Sequence, residues 1–192
     1  MPHRRISFRA GNFYHICNRG VNANTIFFSH DNYIYCMRLI EKNSKRYLVT
    51  FIAYCLLPNH FHFLLKPEKD NNISQFMNSL FGSYTQAVNK QLARQGPLFQ
   101  GRFRAVLVDR EEYLIHLARY IHLNPVMAKL INTAQEWPFS NYLDVIGLRE
   151  STYKSTTLVP QRFETGEVYR HFVEDRLYKT PVVNGLEKYL LD

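Results

Sequence analysis

Apolar positions change period repeatedly between residues 12 and 125, and each change marks an element. Residues 12–19, NFYHICNR, are rich in strand formers and close at Gly20. Residues 29–47 open on Ser29 and Asp31, a helix-cap signal, and Tyr33, Ile34, Met37 and Ile40 then recur at helical spacing. Residues 48–57, LVTFIAYCLL, are a continuous β-type run, as expected of a central buried strand. Pro58-Asn59 is a turn signal, and HFHFLLK (60–66) alternates, so 48–66 reads as a β-hairpin. In 72–93, Ile73, Phe76, Met77, Leu80, Tyr84, Val88 and Leu92 form one helical stripe. GRFRAVLVD (101–109) reads as a strand, and 110–125 as a helix running into Pro125.

The resulting order is β-α-β-β-α-β-α, the split βαβ pattern of a ferredoxin-like fold with an added helix. The expected class is α+β: a four-stranded antiparallel sheet with helices on one face, an extra C-terminal helix and an irregular tail. Strands 12–19 and 60–66 take the central places. The pattern loses regularity from WPFSNY (137–142), apart from a weakly acidic helix expected at 164–178. Residues 1–136 are therefore expected to form one domain, with 137–192 packed on it as an extension.

Charge adds a direction to this frame. The 192-residue chain carries a formal net charge of +8, which suits a polyanionic partner. The excess is local: Arg4, Arg5, Arg9 and Arg19 stand in the first 20 residues without an acid, and Arg94, Arg102, Arg104 and Arg110 cluster around a lone Asp109. The 3 cysteines lack metal or disulfide spacing and point to reduced thiols and a cytoplasmic location. No apolar targeting segment stands at residues 1–15, and no run is long enough to span a membrane.

Two short motifs carry candidate chemistry. His60 and His62 share one strand face, about 7 Å apart. By itself this pair also suits satisfied core histidines. In RYIHLNPV (119–126), Tyr120 and Asn124 are one helical turn apart on one face. By themselves these also suit a core residue and a helix end. The strand spacing of His60 and His62 would let two neutral imidazoles reach one metal ion, and the helix sets a phenol and a carboxamide on one face.

A His-hydrophobe-His strand with a helical tyrosine, in a basic ferredoxin-like chain, resembles the HUH single-strand nucleases. LPNHFHFLL (57–65) is similar to the HUH motif of the IS200-like tyrosine (Y1) transposase family. RYIHLNPVMAKL (119–130) resembles the nucleophile helix of its REP-associated branch. FYHICNRG resembles that family's first strand, PLFQGRFRAVLV its fourth strand and lead-in, and WPFSNY its post-helix signature. Phe99 stands where the family more often has tryptophan.

The resemblance implies nicking of single-stranded DNA beside an imperfect palindromic hairpin. Tyr120 would be the nucleophile, leaving a 5′-phosphotyrosine and a free 3′-OH, and a second strand would resolve the intermediate without ATP. His60, His62 and Asn124 would hold the metal, Mg²⁺ or Mn²⁺. His15, Arg19, Arg102, Arg104 and Arg119 lie near these elements as DNA-contact candidates, and Arg38, Lys42, Lys45 and Arg46 could follow a hairpin stem. Family members work as monomers or homodimers. The alternative is a catalytically silent hairpin-DNA binder of the same fold. A water-using metal hydrolase and an RNA-recognition domain are weaker alternatives.

Overall fold

Ser29 starts the first helix as its position predicts, its hydroxyl accepting the amide of Asn32 at 3.4 Å. The computed structural model describes residues 6–150, 162–175 and 190. Its first half runs β1 (Phe13–Arg19), α1 (His30–Tyr47), β2 (Val49–Leu57) and β3 (His60–Pro67). It continues with α2 (Asn72–Gln91), β4 (Arg104–Val108) and α3 (Glu111–Met127). The four strands form one antiparallel sheet in the order β2-β3-β1-β4, so β1 and β3 are central as expected.

Strand alternation sorts the side chains of β3. Phe61, Phe63 and Leu65 enter a core built with α1 and α2. His60, His62 and Leu64 turn to the other face, where α3 packs on β2 and β3. The two helices of the split repeat thus share one face, and the added helix covers the opposite one. Leu57 pairs with His60, so Pro58 and Asn59 alone make the hairpin turn. That turn is held from outside: the Pro58 carbonyl accepts the amides of Ile26 and Phe27, and the Asn59 carbonyl accepts that of Gly20. A Cβ on Gly20 would lie 2.0 Å from the Asn24 carbonyl oxygen, so only glycine fits this crossing.

Two expectations about the helix and the long apolar strand change. α3 does not stop at Pro125 but runs on to Met127. Proline costs only the single bond to the Ile121 carbonyl here, and the Ala128 amide still closes the last turn on Asn124 at 2.8 Å. β2 is an edge strand, not a central one, yet every residue in it is buried. Residues 137–141 lie along its open edge. The Leu56 amide donates to the Phe139 carbonyl at 2.9 Å, and Trp137 Nε1 donates to the Leu56 carbonyl at 3.0 Å. An apolar run on both faces is therefore compatible with an edge that another segment covers.

Asn141 is the knot in this cover. Its Nδ2 donates to the Ile52 carbonyl, so its Oδ1 accepts the Tyr54 amide at 2.7 Å and His122 Nε2 at 3.0 Å. His122 therefore carries its proton on Nε2, and Nδ1 accepts the Tyr169 hydroxyl at 2.9 Å. Tyr169 belongs to a helix at Gly166–Glu174, numbered α5 after the short α4 (Tyr142–Val145). Thr165 caps α5, which ends earlier than the expected 178; residues 176–178 lie outside the described residues.

Replacing Asn141 by alanine strands three buried groups, the Tyr54 amide, His122 Nε2 and the Ile52 carbonyl. It is expected to lower stability by roughly 3 kcal/mol, read from urea unfolding midpoints. Burial also depresses His122 to a pKa of about 4. The unfolded chain binds a proton near the ordinary value of 6.5, so the stability tied to neutral His122 is complete above that pH and is lost as pH falls toward 4. A His122→Phe chain is expected to be less stable at pH 7 but to lose less Tm between pH 6.5 and 4.5. An equal loss in both chains places the acid sensitivity elsewhere.

Candidate active site

β3 delivers His60 and His62 to the face under α3, and each imidazole has its Nδ1 side engaged. Asn59 Nδ2 donates to the Ala23 carbonyl at 3.2 Å, which turns its Oδ1 toward His60 Nδ1 at 2.7 Å. His60 Nδ1 therefore donates, and its Nε2 presents a lone pair. His62 Nδ1 lies 3.0 Å from His15 Nε2 on the neighbouring central strand, with the two rings stacked. The rings of His60 and His62 stand perpendicular, 5.1 Å apart. Partners on one ring nitrogen that orient the other toward a shared point are the usual support of metal-binding histidines.

α3 completes the cluster. The Tyr120 ring meets His62 edge-on at 5.7 Å, and its hydroxyl is buried with no hydrogen-bond partner among the described residues. Asn124, one turn further, places Oδ1 3.4 Å from His60 Nε2. Two acceptors then face each other, an arrangement that a cation between them would relieve. Burial, reinforced by the neighbouring His15 and His60, holds His62 well below the ordinary histidine range. A neutral ring keeps the lone pair that ligation requires. Two imidazoles and one carboxamide oxygen suit a divalent cation with open positions. Among the described residues no cluster of three or more His, Cys, Asp or Glu offers a fuller set.

A cleft of about 660 Å³ opens over these groups. His60, His62 and Asn124 line it together with Arg19, Arg102 and Arg104. Arg19 is held in place, its Nε donating to Gln100 Oε1 at 2.6 Å. No acidic side chain is among the described lining residues, so the cleft favours an anion. Tyr120 stands beside His62 and is not itself part of the lining.

Two expected DNA contacts are placed elsewhere. Arg119 is buried and donates to the Phe172 and Asp175 carbonyls, so it ties α5 to α3. The physical reason is helical phase: one residue before Tyr120, it points some 100° away around the helix. His15 is fully buried against His62 and positions that ring without reaching solvent. Of the other histidines on α3, His116 packs on Phe172 and His122 belongs to the Asn141 knot. Sequence reasoning passed over Asn59 and Gln100. Asn59 has the signature of a turn residue, and nothing in its local pattern announces a second role on His60.

These observations define the class. A model described as "Transposase IS200 like" matches residues 11–124, more than half of the chain and all four clustered residues, and the protein belongs to that family. A Haemophilus influenzae protein named for the REP-associated tyrosine transposases is 27% identical over 112 residues, covering 53% of this chain and 64% of its own length. The match thus spans less than two thirds of that relative. A solved REP-associated tyrosine transposase bound to a REP hairpin superposes with a TM-score of 0.65 at 22% identity, over 78% of this chain and 88% of its own. That likeness establishes the shared fold. Among the described residues no helix is long and apolar enough to cross a membrane.

The nitrogen chemical shifts of the imidazoles check this arrangement. His60 is expected as the Nδ1–H tautomer, and Asn59→Ala should move it toward the Nε2–H form. Burial should keep His62 neutral to a lower pH than an exposed histidine. A His62 that charges together with exposed histidines contradicts the buried site described above.

Proposed function

We propose that this protein nicks single-stranded DNA beside a hairpin and transfers the cut end through a covalent bond to Tyr120. The observation that carries the reading is the convergence of Tyr120, Asn124, His60 and His62 across the α3–β3 contact, under a cleft rimmed by arginines. The relative solved with a REP hairpin supports hairpin DNA as the partner.

In the proposed reaction Tyr120 Oη gives up its proton to solvent and attacks the phosphorus of a phosphodiester. The new bond is Oη–P, the bond to the 3′-oxygen breaks, and that oxygen leaves as a 3′-hydroxyl after taking up a proton. A 3′-hydroxyl from another strand reverses the step, which joins ends with no net loss of phosphodiester bonds and no ATP. A divalent cation, Mg²⁺ or Mn²⁺, held by His60, His62 and Asn124 would polarise the phosphate and offset charge on the leaving oxygen. Arg19, Arg102 and Arg104 contribute fixed positive charge to the non-bridging oxygens and to the flanking backbone. His15 and Asn59 keep the two imidazoles aimed. Arg119 acts at a distance from the DNA, by keeping α5 on the back of the nucleophile helix.

Incubation of the protein with labelled single-stranded DNA from the flanks of its own gene, with Mn²⁺, is expected to give a denaturation-resistant protein–DNA adduct. Tyr120→Phe should reduce adduct formation at least about a thousandfold, as loss of a covalent nucleophile does. An adduct that persists in Tyr120→Phe overturns the mechanism. His60→Ala is expected to abolish cleavage while leaving hairpin affinity within about threefold, since it removes a metal ligand and no base contact.

A further inference from the structure

Sheet register ranks the three arginines of the histidine cleft. On β1, Arg19 is paired directly with His60 of β3. Residues directly opposite each other in an antiparallel pair share a face, with Cβ atoms about 5 Å apart. Arg19 is therefore the immediate neighbour of the histidine pair on the face under α3. Arg104 is paired with Cys17, which is paired in turn with His62, so Arg104 stands two strands from that histidine, about 10 Å away. Arg102 precedes β4 and lies beyond its first pair.

Arg19 and Gln100 hold each other at two points. The Gln100 amide donates to the Arg19 carbonyl at 2.8 Å, and Arg19 Nε donates to Gln100 Oε1 at 2.6 Å. The Arg19 amide is engaged as well, donating to Asn18 Oδ1 at 2.9 Å. The segment that carries Gln100 is itself fixed, because Phe99 forms a β-bridge with Gly20 and the Gly101 carbonyl accepts Asn18 Nδ2. Both Arg19 and Gln100 are exposed and line the cleft, so water could satisfy either side chain. The bond between them therefore matters for aim more than for burial. With Nε engaged, the edge left over is the fork of Nη1 and Nη2, and no described group accepts from it. Such an edge matches two oxygens of one phosphate. Because Gln100 accepts through Oε1, its Nε2 adds a further donor at the same rim. A glutamate could hold Arg19 equally well but would cancel its charge.

We propose that Arg19 grips the phosphate that lies against His60, and that Gln100 is the positioning residue that aims it there. Arg102 and Arg104, further along the sheet, meet flanking phosphates. The proposal rests on the DNA-processing reading above and assigns the phosphate beside the histidines to one of its three arginines.

The rate of Tyr120-dependent adduct formation, at saturating labelled single-stranded DNA from the gene's flanks and with Mn²⁺, tests the assignment. Arg19→Ala should lower that rate about a hundredfold, as loss of one transition-state donor does, and about tenfold more than Arg102→Ala or Arg104→Ala. Gln100→Ala should cost about tenfold in the intact protein and nothing further in an Arg19→Ala chain, since a residue acting through another loses its effect once the other is gone. Gln100→Glu should cost more than Gln100→Ala, because the carboxylate keeps the aim and cancels the charge. Two results overturn the inference: an Arg102→Ala or Arg104→Ala chain as slow as Arg19→Ala, or a Gln100→Ala loss that persists in full without Arg19. A second readout needs no cleavage. The Arg19 Nε–H resonance should exchange slowly with solvent and shift on titration with inorganic phosphate, and Gln100→Ala should remove both properties. If it behaves so in a protein that never forms the adduct, the grip stands and the nicking mechanism alone fails. A resonance that phosphate leaves unmoved overturns the grip itself.

Discussion

β3 lies at the centre of the sheet and must serve two faces, and the two-residue period of a strand decides how. Its odd-numbered residues are aromatic or aliphatic and bind α1 and α2 by burial. Its even-numbered residues begin with two imidazoles that meet α3. A slip of one residue would send the histidines into the aromatic core and the phenylalanines into the cleft. The hairpin turn prevents it, because only Pro58 and Asn59 separate the paired Leu57 and His60, and both turn carbonyls are tied down by the 20–27 segment. Register at β3 is thus the constraint from which the position of every candidate site residue follows.

The sheet divides its work accordingly. On the α1 and α2 side Phe51, Phe61, Phe63 and Phe76 make a dry core, in which apolar burial supplies stability with little demand for partners. The α3 side carries the buried histidines His15, His62 and His122, together with Asn124 and Asn141. Each would be costly alone. Most are tolerable because they are joined: His15 to His62, and His122 to Asn141 and Tyr169. The same pairing that offsets their desolvation also sets the orientation of each ring.

Much of this was legible from one sequence because it depends on local periodicity. Element order, the hairpin, the Ser29 cap, the two faces of β3 and the shared face of Tyr120 and Asn124 all follow from spacing within about ten residues. The misplaced parts depend on contacts across long sequence separations. β2 looks central because residues 137–141, some 85 positions away, hide its edge. Arg119 looks like a phosphate ligand until α5 supplies carbonyls for it. Asn59 is a turn residue by composition, and its hold on His60 needs the Ala23 carbonyl to set the amide's direction. Pro125 misleads for a different reason: near the end of a helix a proline removes a single bond, which the chain tolerates.

The loop before β4 shows how charge is placed without regular structure. Residues 98–101 belong to no strand, yet they are pinned to the end of β1. The Val21 amide donates to the Leu98 carbonyl at 3.2 Å, the Gln100 amide to the Arg19 carbonyl at 2.8 Å, and Asn18 Nδ2 to the Gly101 carbonyl at 3.2 Å. Arg102 and Arg104 follow directly. Their backbone is therefore ordered before any ligand arrives, and only side-chain freedom remains to be lost on binding. A mobile loop with the same arginines would attract a polyanion over the same distance but would have to order its backbone on every encounter. Anchoring through β1 also couples the loop to the strand that carries His15 and lies beside β3. The charge of the loop and the candidate ligands of β3 are thus held together through β1.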